Sequence, residues 1–289
     1  MEERLEHLLL QAMLKKATDI HIQIQSNKCR IFMRTIQGMI EVKSSFQDME
    51  LYTYLKFRSN LDLSISKLPQ TGMFSFELPK RTLYLRFAVI ETFYSKSGVL
   101  RILNLSKISE LSELSDQKES VHLLKLLRNE NSGLILFCGS TGSGKSTTMF
   151  TWLNSFTDKR IFTLEDPIEQ HYPKLMQIQI QQKIHLSFQE GVAQLLRHDP
   201  DILCIGEIRR QSEAQSAIQC SYTGHLVVAT LHADTFEKVI GRLFDLGCSS
   251  QQLKDVISAI VIQDLAIMEG KRRAMYEIYQ RNQILSLLG

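Results

Sequence analysis

The chain has 289 residues, 44% of them hydrophobic and 22% charged; that is apolar material for about two domain cores and too much for a disordered chain. Its formal net charge of +3 does not by itself argue for nucleic-acid binding, and no apolar run approaches the roughly 20 residues that cross a bilayer. Five scattered cysteines (Cys29, Cys138, Cys204, Cys220, Cys248) form no CxxC pair, which argues against a disulfide framework or a cysteine zinc site and for a reducing, cytoplasmic compartment. The opening MEERLEHLLLQAMLKKATDIH places acids ahead of its apolar residues, the reverse of a secretory signal. Residues 1–115 carry 16 Lys and Arg against 12 Asp and Glu, the remainder 18 against 19. The positive excess therefore sits in the first part of the chain, as ordinary solvated surface or as arginines facing an anionic partner.

In chain order, Leu5, Leu8, Leu9, Ala12 and Met13 recur at helical spacing and predict an amphipathic helix over residues 2–16. Alternation then predicts strands around Ile20–Ile24, Ile31–Ile36, Met73–Leu78 and Leu83–Val89. Residues 1–105 read as an α+β domain with a mostly antiparallel sheet. Residues 106–119, polar and rich in Ser, Glu and Lys, read as a linker with room for a short helix. From 120 to 289 short apolar runs alternate with helical patterns. Strands are expected at Leu134–Cys138, Ile161–Leu164, Ile178–Ile180, Ile202–Ile205, Leu226–Leu231 and Met275–Tyr279. Helices are expected from Gly144, over Phe188–Arg197, Glu213–Tyr222 and Phe236–Leu246, over about 250–268, and over Arg281–Leu288. Alternating strands and helices predict an α/β domain with a largely parallel sheet.

The densest chemical signal is Gly139, Ser140, Thr141, Gly142, Ser143, Gly144, Lys145 and Ser146, followed by Thr147. It fits GxxxxGK[ST] at every fixed position. An apolar strand precedes it and a helical pattern follows, the setting in which a glycine-rich turn aims its N–H groups, and a helix N-terminus its partial positive charge, at phosphates. Lys145 is placed to reach the β- and γ-phosphates and Ser146 to hold Mg²⁺. Mg²⁺ calls for carboxylates nearby, and two strand ends offer them: Glu207 after Asp201–Gly206, and the cluster Glu165, Asp166 and Glu169, which can also be read as a solvated turn. The carboxyl ends of strands form the ligand crevice of an α/β sheet. His232 lies at that edge and His225 at the opposite end of the same strand, where packing is the simpler role. RHDPD, residues 197–201, reads as helix termination at Pro200.

The order GSTGSGKS, TLEDPIE, LRHDPDILCIGEIR and TGHLVVATLHADT resembles the secretion-superfamily ATPases of type II secretion, type IV pili and competence pseudopili. Ala17–His21 is similar to that family's ASDIH signature, Arg34 with Gly38 to its RxDG hairpin, and Arg272–Tyr279 to its closing GRxxxYEI stretch. The resemblance spans residues 10–280. It implies a PAS-like N-terminal α+β domain, a RecA-like ATPase core and a ring hexamer. It also implies ATP and Mg²⁺ as ligands, with Lys145 and Ser146 as the Walker A pair. Glu165 falls on the glutamate that orients water, Glu207 on the Walker B glutamate acting on Mg²⁺ through water, and His232 on a γ-phosphate sensor. Arg86 and Arg101 match N-domain arginines that reach a nucleotide.

Departures from the family pattern narrow the expectation. The four-cysteine zinc element of the larger assembly ATPases is missing, so no zinc is expected, and neither an extra N-terminal domain nor an AIRNLIRE-like retraction signature is found. Arg210 replaces the aspartate usual after GEIR, and Gln263-Asp264-Leu265 stands in place of QRL. A short, zinc-free member resembles the competence (DNA-uptake) pseudopilus motors of Gram-positive bacteria. Such a motor works in the cytoplasm at the inner face of the membrane and docks on a polytopic platform protein. The rival readings are a retraction motor, a type II secretion ATPase, a nucleotide-gated scaffold without turnover, and a nucleic-acid translocase. Stable nucleic-acid binding is not expected, because no basic, aromatic-lined path is evident.

Overall fold

The computed structural model describes all residues except 27, 46–47, 65–67, 80, 104–109, 181–186 and 269–270. The expected linker at 106–119 therefore lies partly outside the described residues. The chain divides into two compact units, residues 1–107 with 169–171, and residues 108–168 with 172–289.

In the first unit α1 (Glu2–Leu14) is followed by β1 (Asp19–Gln25), β2 (Lys28–Thr35), β3 (Gly38–Val42), α2 (Asp48–Arg58), β4 (Gln70–Leu78), β5 (Arg81–Glu91) and β6 (Ser95–Ile102). The strands form an antiparallel sheet in the order β3-β2-β1-β6-β5-β4. Alternation puts Ile20, Ile22, Ile31, Met33, Leu83, Leu85 and Phe87 in one core with the apolar stripe of α1, Leu5, Leu8, Leu9 and Ala12. Helix α2 has no such stripe and escapes a periodicity reading. It buries Lys56 and Asp48 along with Leu51, Tyr52 and Leu55 and leaves Phe57 exposed. The buried charges are paired, Lys56 with Glu91 at 2.9 Å and Asp48 with Arg4 at 2.7 Å, as burial of an ion requires.

The second unit begins with α3 (Leu111–Leu114) and α4 (Lys118–Leu126), then β7 (Gly133–Cys138), α5 (Lys145–Asn154), β8 (Ile161–Glu165), β9 (Met176–Gln179), α6 (Phe188–Leu195), β10 (Ile202–Ile205), α7 (Gln211–Tyr222), β11 (Leu226–Leu231) and α8 (Phe236–Asp245). It ends with α9 (Ser250–Val256), β12 (Ile257–Met268), β13 (Lys271–Gln280) and α10 (Arg281–Leu287). The sheet order is β13-β12-β7-β11-β10-β8-β9, and every pairing except β12–β13 is parallel. Helices cover both faces, so β7, β8, β10 and β11 are buried along their whole lengths and read as continuous apolar runs. Leu134 and Leu136 join one core layer, Ile135 and Phe137 the other.

The expectation of a helix over 250–268 is overturned. Only Ser250–Val256 is helical, with Ser249 and Gln252 in a reciprocal cap; Ile257–Met268 is strand. A short apolar run does not by itself distinguish a buried strand from a buried helix. Here β-branched Ile257, Ile260, Val261 and Ile262 favour the strand. They pair with β7, Ile260 opposite Leu136 and Ile262 opposite Cys138, before the chain turns back onto β13.

Trp152, the one tryptophan of the sequence, is fully buried on α5 between Phe137 and Phe156, and its indole donates to the Leu124 carbonyl at 2.6 Å. Its emission should therefore be blue-shifted in the native protein and report unfolding of the second unit. Trp152→Phe, which leaves that carbonyl without its donor, is expected to cost about 1–3 kcal/mol in chemical denaturation.

Candidate functional site

Parallel pairing sets the carboxyl ends of β7, β8, β10 and β11 along one edge, and the sequence-predicted core residues collect there. After Cys138 the chain curls through residues 139–144, with a turn from Ser143 N to Ser140 O at 3.2 Å, into α5. Gly144, at φ +84°, caps that helix in the left-handed region that glycine tolerates. No acid occupies the first turn of α5, so its positive end is not compensated from within.

Lys145 is buried, yet its Nζ faces this edge, 3.3 Å from Ser140 O and 3.3 Å from His232 Nδ1. An ammonium can only donate. His232 Nδ1 is therefore the acceptor and Nε2 carries the proton, which it donates to Glu207 Oε1 at 3.1 Å. Burial and the nearby Lys145 charge hold the His232 imidazolium below its usual pKa despite the opposing pull of Glu207. The neutral ring thus joins the loop lysine to the strand-end glutamate.

Glu207 is placed by its backbone neighbours. Gly206 N donates to Leu164 O at 2.8 Å, Thr230 Oγ1 donates to Gly206 O at 2.6 Å, and Ile208 N donates to Thr230 O at 2.9 Å. Its Oε2 accepts from Arg209 Nη2 at 2.6 Å. The acidic cluster at residues 165–169 splits: Asp166 and Glu169 are exposed, whereas Glu165, the last residue of β8, is 5% exposed. Glu165 Oε1 accepts from Thr163 Oγ1 at 2.6 Å and Gln177 Nε2 at 3.0 Å, and Gln177 Oε1 accepts from Tyr172 N at 2.8 Å. Sequence spacing gave no hint of Gln177, Thr230 or Arg209. Gln177 meets Glu165 only because β9 pairs with β8, Thr163 opposite Gln177. His225 lies at the opposite end of β11, with Nδ1 3.0 Å from Thr223 Oγ1.

Arg86 and Arg101 belong to the first unit, directly opposite each other on β5 and β6. Burial and the Arg101 charge lower the Arg86 pKa. Burial alone would raise the Asp19 carboxyl, but the hydrogen bonds from Arg101, at 2.6 Å, and Thr18 hold it below its usual value.

The donor set fits a magnesium nucleotide. The Ser146 hydroxyl and Glu207 carboxylate are hard oxygen ligands, and the loop N–H groups, the α5 terminus and Lys145 suit phosphates. Cavity size does not find this site. A cavity of about 380 Å³ lies near the far end of α5, lined by Lys125, Arg128, Thr151 and Asn154, whereas one of about 40 Å³ lies beside Glu165 and Glu207. No helix of the described residues is long and apolar enough to cross a membrane.

Comparison with known proteins agrees with this geometry. Residues 1–281 match the family described as Type II/IV secretion system protein. Competence protein ComGA of Bacillus subtilis (strain 168) is 30% identical over 271 residues, covering 92% of this chain and 76% of that protein. Putative type II secretion system protein E of Escherichia coli (strain K12) is 31% identical over 268 residues, covering 89% of this chain. The present chain spans 53% of that relative, about half its length. Among solved structures, the pilus retraction motor PilT with bound ADP superposes with a TM-score of 0.76 at 27% identity, over 97% of this chain and 85% of that one. The chain belongs to the type II/IV secretion system protein family, and its parallel-sheet unit is the RecA-like ATPase core of that family.

Proposed function

We propose that the chain is the ATP-driven motor of a competence (DNA-uptake) pseudopilus, working as a ring hexamer. The observation that carries the chemical part is the linked set Lys145, His232 and Glu207 at the mouth of a glycine-rich phosphate loop. The competence part is supported by the similarity to the competence protein ComGA, 30% identical over 92% of this chain. In this reading residues 139–147 hold the phosphates of ATP, and Ser146 with Glu207, through water, hold Mg²⁺. When bound, Mg²⁺ would offset the negative charge that develops on the phosphates.

Glu165, fixed by Thr163 and Gln177, orients the attacking water together with Glu207. Lys145 stabilises the developing phosphoryl charge. His232 senses the γ-phosphate through Lys145, since a lysine drawn to phosphate leaves Nδ1 without its donor. Arg86 and Arg101 reach a bound nucleotide from the N-terminal, PAS-like domain (residues 1–105), which a linker (106–119) joins to the ATPase domain (120–289). Closure between the domains is the work stroke, delivered at the inner face of the membrane to a polytopic platform protein that passes pilin-like subunits into the filament. The similarity to a retraction motor keeps the opposite filament outcome as the second reading.

Lys145→Ala is expected to lower ATP turnover by about 10²–10³-fold, the scale of removing one preorganised donor to a developing charge; a steady-state phosphate-release assay checks this. In the host, the same substitution at matched protein level should reduce DNA transformation to background with loss of the filament. Filament accumulation is the retraction result. Because the His232 pKa is depressed, the neutral ring persists as pH falls toward the ordinary imidazole value of about 6.5. ATP turnover should accordingly fall only below that value, and in His232→Gln the acid limb should disappear while basal turnover drops.

A further inference from the structure

Strand β12 brings to the phosphate loop the side chain of Gln263, the residue that opens the Gln263-Asp264-Leu265 stretch. Gln263 directly follows Ile262, which pairs with Cys138, the residue before the loop. Its side chain is 4% exposed, and Nε2 donates to the Ser143 carbonyl at 2.7 Å. A carbonyl needs a donor, so the amide nitrogen, not the oxygen, faces the loop. The fit is close on both sides. A Cβ on Gly144 would meet Gln263 Nε2 at 2.9 Å, and a Cβ on Gly139 would meet the Gln263 carbonyl at 2.4 Å. Gly139 thus packs against the Gln263 backbone and Ser143 Oγ, while the left-handed φ of Gly144, +84°, by itself favours glycine beside the Gln263 amide. Among the described residues, buried Gln263 Oε1 and Ser143 Oγ have no hydrogen-bond partner. A buried polar atom without a partner is costly, and an apolar side chain of the same length would avoid that cost if Gln263 served packing alone.

We propose that Gln263 is the positioning residue of the phosphate loop, its amide holding the Ser143 carbonyl back so that the N–H groups of the loop turn toward the β-phosphate. The proposal rests on the reading of residues 139–147 as the phosphate site. Strand β12 is tied to the carbonyl side of the Ser143–Gly144 peptide, and the opposite side of that peptide carries its N–H. Losing the tie should therefore weaken the hold on the phosphate chain and leave the rest of the nucleotide site intact.

The test uses the full chain with Mg²⁺ and compares ADP with AMP, which lacks the β-phosphate, by competition against a fluorescent nucleotide. Gln263→Met keeps the length, removes the donor and also removes the orphaned Oε1. The ratio of ADP to AMP affinity is expected to fall about tenfold, the scale of one lost hydrogen bond to a buried carbonyl, with the ligand-free melting temperature within about 2 °C of the unaltered protein. Gln263→Glu, the same size with a carboxylate against the carbonyl, should lower the ratio further. A packing role alone would weaken ADP and AMP equally and shift the melting temperature. The proposal is overturned if the ratio stays within twofold of the unaltered protein in both variants while Lys145→Ala lowers it. If Lys145→Ala also leaves the ratio unchanged, the reading of the loop as a phosphate site falls first, and this proposal with it.

Discussion

Parallel pairing of β12, β7, β11, β10 and β8 is the constraint on which the site depends. Parallel strands share a direction, so their carboxyl ends meet on one edge. Lys145 follows β7, Glu207 follows β10, His232 follows β11 and Glu165 ends β8. These residues are separated by 87 positions between Lys145 and His232 alone. The core layers on both faces of the sheet hold that register: a slip by one residue would turn buried Leu134, Leu136 and Val227 toward the opposite layer.

Within the edge, electrostatics set the order of the groups. A buried lysine needs a partner, and Lys145 finds one in the neutral His232 ring as well as in the Ser140 carbonyl. Because the lysine can only donate, the histidine tautomer is fixed, and through it the face of the ring that meets Glu207. The glutamate is shared with Arg209 on its other oxygen. A ligand that competes for Lys145 therefore acts, through one ring, on the carboxylate that lies beside it. This is a physical route between the phosphate loop and the end of β10, and it needs no movement of the sheet.

Much of the site was legible before the fold was known, because phosphate-loop chemistry is local. Eight consecutive residues carry the turn, the helix start, the lysine and the hydroxyl. The strand-end acids and His232 follow apolar runs whose burial on both faces made them visible. Helix α2 was not legible, since its buried face includes Lys56 and Asp48, which only Glu91 and Arg4, distant in sequence, make tolerable. Strand β12 was misread because an apolar run of that length fits either a buried strand or a buried helix, and pairing with β7 decides between them.

The sequence by itself determined the chemical class of the site, the order of strands and helices from β7 to α8, and the separation of an antiparallel from a parallel sheet. Local propensity and periodicity act over a few residues, and each of those features is written within such a window. Tertiary structure alone decided that Glu165 is buried among Thr163 and Gln177 while Asp166 is not. It also decided which nitrogen of His232 carries the proton, and that the segment after Val256 runs beside the phosphate loop. Each depends on which strand lies next to which, a choice made by packing of both sheet faces at once.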